Sequence, residues 1–129
     1  MKFGYTIIYV RDVSEALAFF ERAFGMSPRF VHESGYGELC TGDTTLAFAT
    51  HSLGAKNLPD GYVCADTSPL PLGMEIALVT DDVATTHAKA ISEGAVELMP
   101  PSQKPWGQTV SYVRSPDGIL IELCTPVAC

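Results

Sequence analysis

Residues 5–25 read YTIIYVRDVSEALAFFERAFG, and this stretch decides the fold. Tyr5 to Val10 is β-branched and aromatic, as expected of a strand buried on both faces, and Arg11-Asp12 ends it. From Val13 to Phe24 the apolar residues Val13, Leu17, Phe20 and Phe24 fall at three- and four-residue spacing. Ser14 and Glu15 occupy the first turn and Gly25 lies just past the end, so the spacing predicts a helix. Three short strands follow, at about Pro28 to Glu33, Tyr36 to Thr41 and Thr44 to Thr50, separated by the turns Ser34-Gly35 and Gly42-Asp43.

The same order returns after a Pro- and Gly-bearing connection from about Ser52 to Leu72. Met74 to Thr80 is predicted as a strand, Asp82 to Glu93 as a helix, and Gly94 as its stop. Strands at about Val96 to Pro100, Thr109 to Arg114 and Ile119 to Thr125 complete the second series, with Ser115-Pro116-Asp117-Gly118 as the last turn. Val10-Arg11-Asp12-Val13 reads onto Thr80-Asp81-Asp82-Val83, and Leu46-Ala47-Phe48 onto Ile121-Glu122-Leu123. The identity is weak, and the repeated order of elements carries the argument for duplication. The expected fold class is α+β, two tandem βαβββ units in one 129-residue domain: residues 1–51, a connection over 52–71, and 72–129.

Composition limits the partners. Apolar residues make up 47% and charged residues 18%, a globular balance. The formal charge is -7, and the basic residues stand singly, as at Lys2, Arg11, Lys56 and Lys104. A phosphate-tracking surface needs them clustered, so nucleic acid and anionic membranes are not expected partners. No signal peptide or bilayer-spanning run is read, and a cytoplasmic location is expected. Cys40, Cys64, Cys124 and Cys129 form neither a C-x-x-C pair nor a zinc spacing and are expected to be reduced thiols.

The chain resembles the vicinal oxygen chelate superfamily, which groups glyoxalase I, bleomycin-resistance proteins and extradiol dioxygenases. The carriers are Tyr5 to Asp12, the helix ending Phe19-Phe20-Glu21-Arg22-Ala23-Phe24-Gly25, Trp106-Gly107, and Tyr112 to Gly118 running into Ile119-Leu120-Ile121-Glu122-Leu123. The resemblance implies an open barrel with a cup between the two units, and a homodimer with paired units, which light scattering would check. In metal-dependent relatives the ligands stand at positions that read here as Tyr5, Ala47, Glu75 and Glu122. His or Glu is usual there, because a divalent ion that polarises substrate oxygens needs imidazole or carboxylate donors. Only Glu122 keeps its usual identity. Glyoxalase I activity is therefore doubtful and an extradiol dioxygenase is not expected. His51, on the strand parity of Ala47, is a further candidate metal ligand, although an exposed loop histidine is the simpler reading; His32 and His87 are assigned surface or packing roles.

Strand alternation defines the inner face. The parity of Tyr5 selects Ile7 and Tyr9, and that of Ala47 selects Thr45 and Ala49. That of Glu75 and Glu122 selects Ala77, Val79, Leu120 and Cys124. The opposite parity, Ile8, Val10, Leu46, Phe48, Ile76, Leu78, Ile121 and Leu123, is apolar and is expected to pack under the helices. The proposed ligand-contacting set is Tyr5, Ile7, Tyr9, Ala47, Ala49, Glu75, Ala77, Trp106, Tyr112 and Glu122, with Arg114 as a further candidate. Trp106 is either a cap over the ligand or a packing anchor.

Glu75 and Glu122 are expected to be neighbours, acting as a proton-transfer pair or as the partner of a cationic ligand, or else standing in water as remnants of a metal site. Three functions are carried forward. The first is metal-independent binding or sequestration of a small organic compound, of the antibiotic-sequestering kind, with no cofactor. The second is a lyase or isomerase using Glu75 and Glu122, with a divalent metal or as acid and base. The third is an accessory module whose cup is filled by side chains.

Overall fold

Two aspartates at equivalent places start the two long helices. Asp12 accepts a hydrogen bond from the backbone N–H of Glu15 at 3.0 Å, and Asp82 from that of Thr85 at 3.1 Å, each satisfying a donor that the first helical turn leaves unpaired. The matching Arg11-Asp12-Val13 and Asp81-Asp82-Val83 tripeptides are thus matching helix starts.

The computed structural model describes residues 1–127; Ala128 and Cys129, with the expectation of a reduced thiol at Cys129, lie outside the described residues. The chain forms two compact units, residues 1–65 and 66–129. The first runs β1 (Tyr5–Val10), α1 (Val13–Phe24), β2 (Pro28–His32), β3 (Tyr36–Leu39), β4 (Thr45–Thr50) and a short α2 (His51–Asn57). The second runs β5 (Glu75–Val79), α3 (Val83–Ser92), β6 (Val96–Gln103), β7 (Thr109–Arg114) and β8 (Leu120–Cys124). Each unit folds its strands into one four-stranded sheet, ordered β1-β4-β3-β2 and β5-β8-β7-β6. In both, the first strand lies parallel to the last and the other neighbours are antiparallel. The identical strand order bears out the βαβββ duplication read from the sequence.

The core of each unit sits between its long helix and its sheet. In the first, Val10, Phe20, Leu39 and Phe48 are fully buried, and the Phe20 ring lies 5.2 Å from that of Phe48. In the second, Val113, Ile121 and Leu123 are fully buried. The parity expected to face the helices is buried on the inner strands, at Leu46, Phe48, Ile121 and Leu123. On the edge strands β1 and β5, Ile8, Ile76 and Leu78 are only half-buried, because an edge strand has a neighbour on one side alone. Gly25 ends α1 in the left-handed region at φ 70°, a conformation that costs glycine nothing.

Several boundaries differ from expectation, β3 ending at Leu39 rather than Thr41 among them, and three have a visible cause. The connection after β4 contains α2, unannounced because seven residues with a central Gly54 show no helical periodicity; Thr50 caps it by accepting from the Leu53 N–H at 3.2 Å. β6 continues through Pro100 and Pro101 to Gln103, as the edge strand of its sheet, where a missing N–H is tolerated, and with a register shift between Met99 and Ser102. β2 stops at His32, where Glu33 and Ser34 take positive φ in the turn. Among the described residues no helix is long and apolar enough to cross a membrane.

Candidate ligand site

On the sheet of the second unit, the face turned away from α3 carries the chemistry. Pairing sets Ala77 opposite Glu122 and Glu122 opposite Tyr112, so these three side chains share that face, and Glu75 lies one step along β5 on the same side. Tyr112 Oη donates to Glu122 Oε1 at 2.9 Å. Glu75 is hydrogen-bonded to Glu122, and its pKa is raised above the usual glutamate value by desolvation, then by that bond and by the Glu122 charge. Two carboxyl groups this close cannot both carry a full charge cheaply, so Glu75 retains its proton to higher pH. The Tyr112 phenol is pushed up to about 12, first by its bond to Glu122 and then by burial. Burial, with the two carboxylates beside it, also raises the Cys124 thiol. Two facing carboxyl groups and a phenol that keeps its proton thus stand on one sheet face.

Other expected contacts behave differently. Ala77 is exposed beside the pair. Arg114 turns to backbone carbonyls: Nε donates to Gly118 O at 3.3 Å and Nη2 to Ser68 O at 2.8 Å. Trp106 is 66% exposed, so it is no packing anchor; its Nε1 donates to Gln108 Oε1 at 2.7 Å within the β6–β7 loop.

In the first unit Tyr5 and Ile7 are exposed, whereas Ala47 and Ala49 are fully buried. Fully buried, the two alanines are not open to a ligand as expected; their cross-strand neighbours are Glu38, opposite Ala47, and Tyr36, opposite Ala49. Sequence reasoning passed over both. Glu38, on a strand of four residues, accepts from Arg29 Nε at 3.2 Å and also from Arg29 Nη2, while Tyr36 Oη donates to its second oxygen at 2.8 Å. Arg29, then Tyr36, hold the Glu38 carboxyl below the usual range. The signal that could have found them is a lone glutamate in β3 with the only Lys or Arg of the first sheet on the adjoining strand. Tyr9 stacks on Tyr62 with ring centroids 4.8 Å apart. His51 is not an exposed loop residue: it is the half-buried first residue of α2, and its Nδ1 meets Tyr62 Oη at 2.7 Å. His87 is buried, as a packing role implies, and lies between Ser111 and Glu97.

The donors at the superfamily's metal positions do not suit a divalent ion. Ala47 offers none and is sealed under neighbours, and the adjacent Glu38 is engaged by Arg29 and Tyr36. Glu75 and Glu122 are the only carboxylates among the four positions, with no imidazole beside them. No chemical step is therefore routed through a metal at these positions.

Comparison with known proteins agrees with this architecture. The chain belongs to the Glyoxalase/Bleomycin resistance protein/Dioxygenase superfamily, whose family model matches residues 2–123. It is 32% identical over 127 residues to the uncharacterized protein YwbC of Bacillus subtilis (strain 168), covering 94% of each chain. Among solved structures it resembles a glyoxalase-related enzyme from Fulvimarina pelagi, with a TM-score of 0.82, 19% identity, and coverage of 98% of this chain and 88% of that one. A superfamily enzyme from Burkholderia phytofirmans PsJN gives a TM-score of 0.81 at 19% identity, with 99% and 100% covered. At such identity the structural likeness establishes the fold and leaves the reaction to the site itself.

Proposed function

We propose that the protein binds a small organic molecule without a metal, on the sheet face that carries Glu75, Glu122, Tyr112 and Ala77, and that the ligand presents a cationic or hydrogen-bond-donating group to the two glutamates. The facing Glu75 and Glu122 carboxyls, hydrogen-bonded to each other and with the Tyr112 hydroxyl on Glu122, are the observation that carries this reading. A cation beside the pair stabilises its fully ionised form, so the pair releases its proton on binding. Affinity for a cation therefore rises with pH until Glu75 has ionised. Ala77, exposed beside Glu122, leaves space for an apolar body. The exposed apolar side chains on the edge strands, Ile7 at 46% and Val79 at 65%, support the homodimer expected from the resemblance.

The same pair supports a second reading as the acid and base of a lyase or isomerase, since two carboxyls in hydrogen-bond contact can pass a proton to and from a substrate. A thermal-shift panel of aromatic amines and their neutral isosteres separates the two. Binding predicts amines preferred by about tenfold or more, ~1.4 kcal/mol, unchanged by a chelator and lost in Glu122→Gln. Turnover of glyoxalase-type substrates that is abolished by the same substitution would establish the second reading instead.

A further inference from the structure

Away from the acidic pair, metal-ligating side chains gather within one short run of chain, residues 51–66. His51, Cys64 and Asp66 each offer a ligand atom, and these atoms lie within 4.8 Å of one another, all three residues being half-buried. The His51 ring is held by Tyr62, which stacks on it at 5.8 Å and 29° and itself stacks with Tyr9 at 4.8 Å. Tyr62 fits there because residue 54 is glycine, since a Cβ at that position would stand 2.5 Å from Tyr62 Oη.

His51 Nδ1 and Cys64 Sγ are 3.7 Å apart. Zn–S of about 2.3 Å and Zn–N of about 2.0–2.1 Å, at a tetrahedral angle, place the two ligand atoms about 3.6 Å apart. The pair therefore already has the spacing of two corners of a zinc tetrahedron.

We propose that His51, Cys64 and Asp66 form a binding site for a thiophilic divalent cation such as Zn2+, with water as the fourth ligand. One nitrogen, one sulfur and one carboxylate oxygen suit zinc and its analogues; magnesium and calcium require more oxygen donors. On binding, the Cys64 thiol gives up its proton and the sulfur–metal bond forms, while the Tyr62 hydroxyl, now 2.7 Å from Nδ1, yields that lone pair to the ion. The site uses neither Glu75 nor Glu122 and stands whichever reading of that pair holds.

The test titrates the full chain, stripped of metal and kept reduced, with Co2+ and then Zn2+. One equivalent of Co2+ is expected to raise a thiolate-to-cobalt charge-transfer absorption that Zn2+ abolishes, with tighter binding at higher pH. Cys64→Ser should lose the band, His51→Gln should lose or weaken it, and Glu122→Gln should keep it. Far-UV circular dichroism verifies that each variant is folded, and Asp66→Asn provides an independent variant expected to weaken binding. Absence of a thiolate band in the wild type would overturn the proposal, as would a band that survives Cys64→Ser or disappears with Glu122→Gln.

Discussion

Replacing Phe20 by alanine is expected to cost about 3–5 kcal/mol, a large share of the roughly 5–15 kcal/mol that keeps a domain of this size folded. Phe20 is fully buried on α1. Its ring lies 5.7 Å from Phe19, 5.4 Å from Phe24 and 5.2 Å from Phe48, so it joins the helix to the sheet through four aromatic rings. Truncation removes the transfer energy of the ring and leaves a cavity that its rigid neighbours cannot refill. Phe20→Leu keeps most of the volume and should cost clearly less. Denaturant unfolding of the two variants measures the difference, and equal midpoints would show that the aromatic cluster is not what couples α1 to the sheet.

The second large effect is at His87. Its Nδ1 lies 2.9 Å from Ser111 Oγ and its Nε2 2.8 Å from Glu97 Oε2, and Ser111 is fully buried. The imidazole bridges α3 to β6 and β7 through polar contacts in an otherwise apolar layer. His87→Leu keeps comparable bulk but strands the Ser111 hydroxyl, at a cost of about 1–3 kcal/mol. Removing both partners in His87→Leu with Ser111→Ala should recover much of that loss, because an apolar pair leaves nothing unsatisfied. A double-mutant cycle by chemical denaturation checks this; simple additivity of the two substitutions would mean that the hydrogen bond contributes nothing.

Why the fold was legible follows from particular residues. The 3.6-residue spacing of Val13, Leu17, Phe20 and Phe24, the paired aspartate caps and the alternating strands all act locally, so each announces itself within a few positions. The Glu75, Glu122 and Tyr112 grouping was within reach too, since strand parity plus the repeat puts these residues on one face. The Arg29–Glu38–Tyr36 cluster was not, because it depends on how an irregular β2 is registered against β3, where the pairing shifts between Pro28 and Phe30. Nor was the fate of His51, which turns on a helix of seven residues and on a tyrosine eleven positions away finding space over Gly54. Of the two roles read for Trp106, the packing anchor fails for a related reason: the indole N–H is held by Gln108 and the ring stands exposed, and nothing in Lys104-Pro105-Trp106-Gly107 reveals that.

The two glutamates also set opposite pH dependences. Glu38, held below the usual range by Arg29, contributes stability above the ordinary glutamate pKa that is lost as pH falls through its own lowered value. Glu75, raised by burial and by Glu122, contributes stability below the ordinary value that is lost as pH rises through its raised one. The pH dependence of the whole protein mixes the two, so a site-resolved observation is needed to isolate the pair.

That observation is a carbon-detected NMR titration of the glutamate side-chain carboxyls, assigned by substitution and run with and without a chelator. The Glu75 carboxyl should titrate above the ordinary glutamate range, unaffected by the chelator, and should fall part of the way back in Glu122→Gln while burial still holds it up. Titration of Glu75 in the ordinary range, or a profile that depends on added divalent metal, would contradict a hydrogen-bonded carboxyl pair as the polar centre of the site.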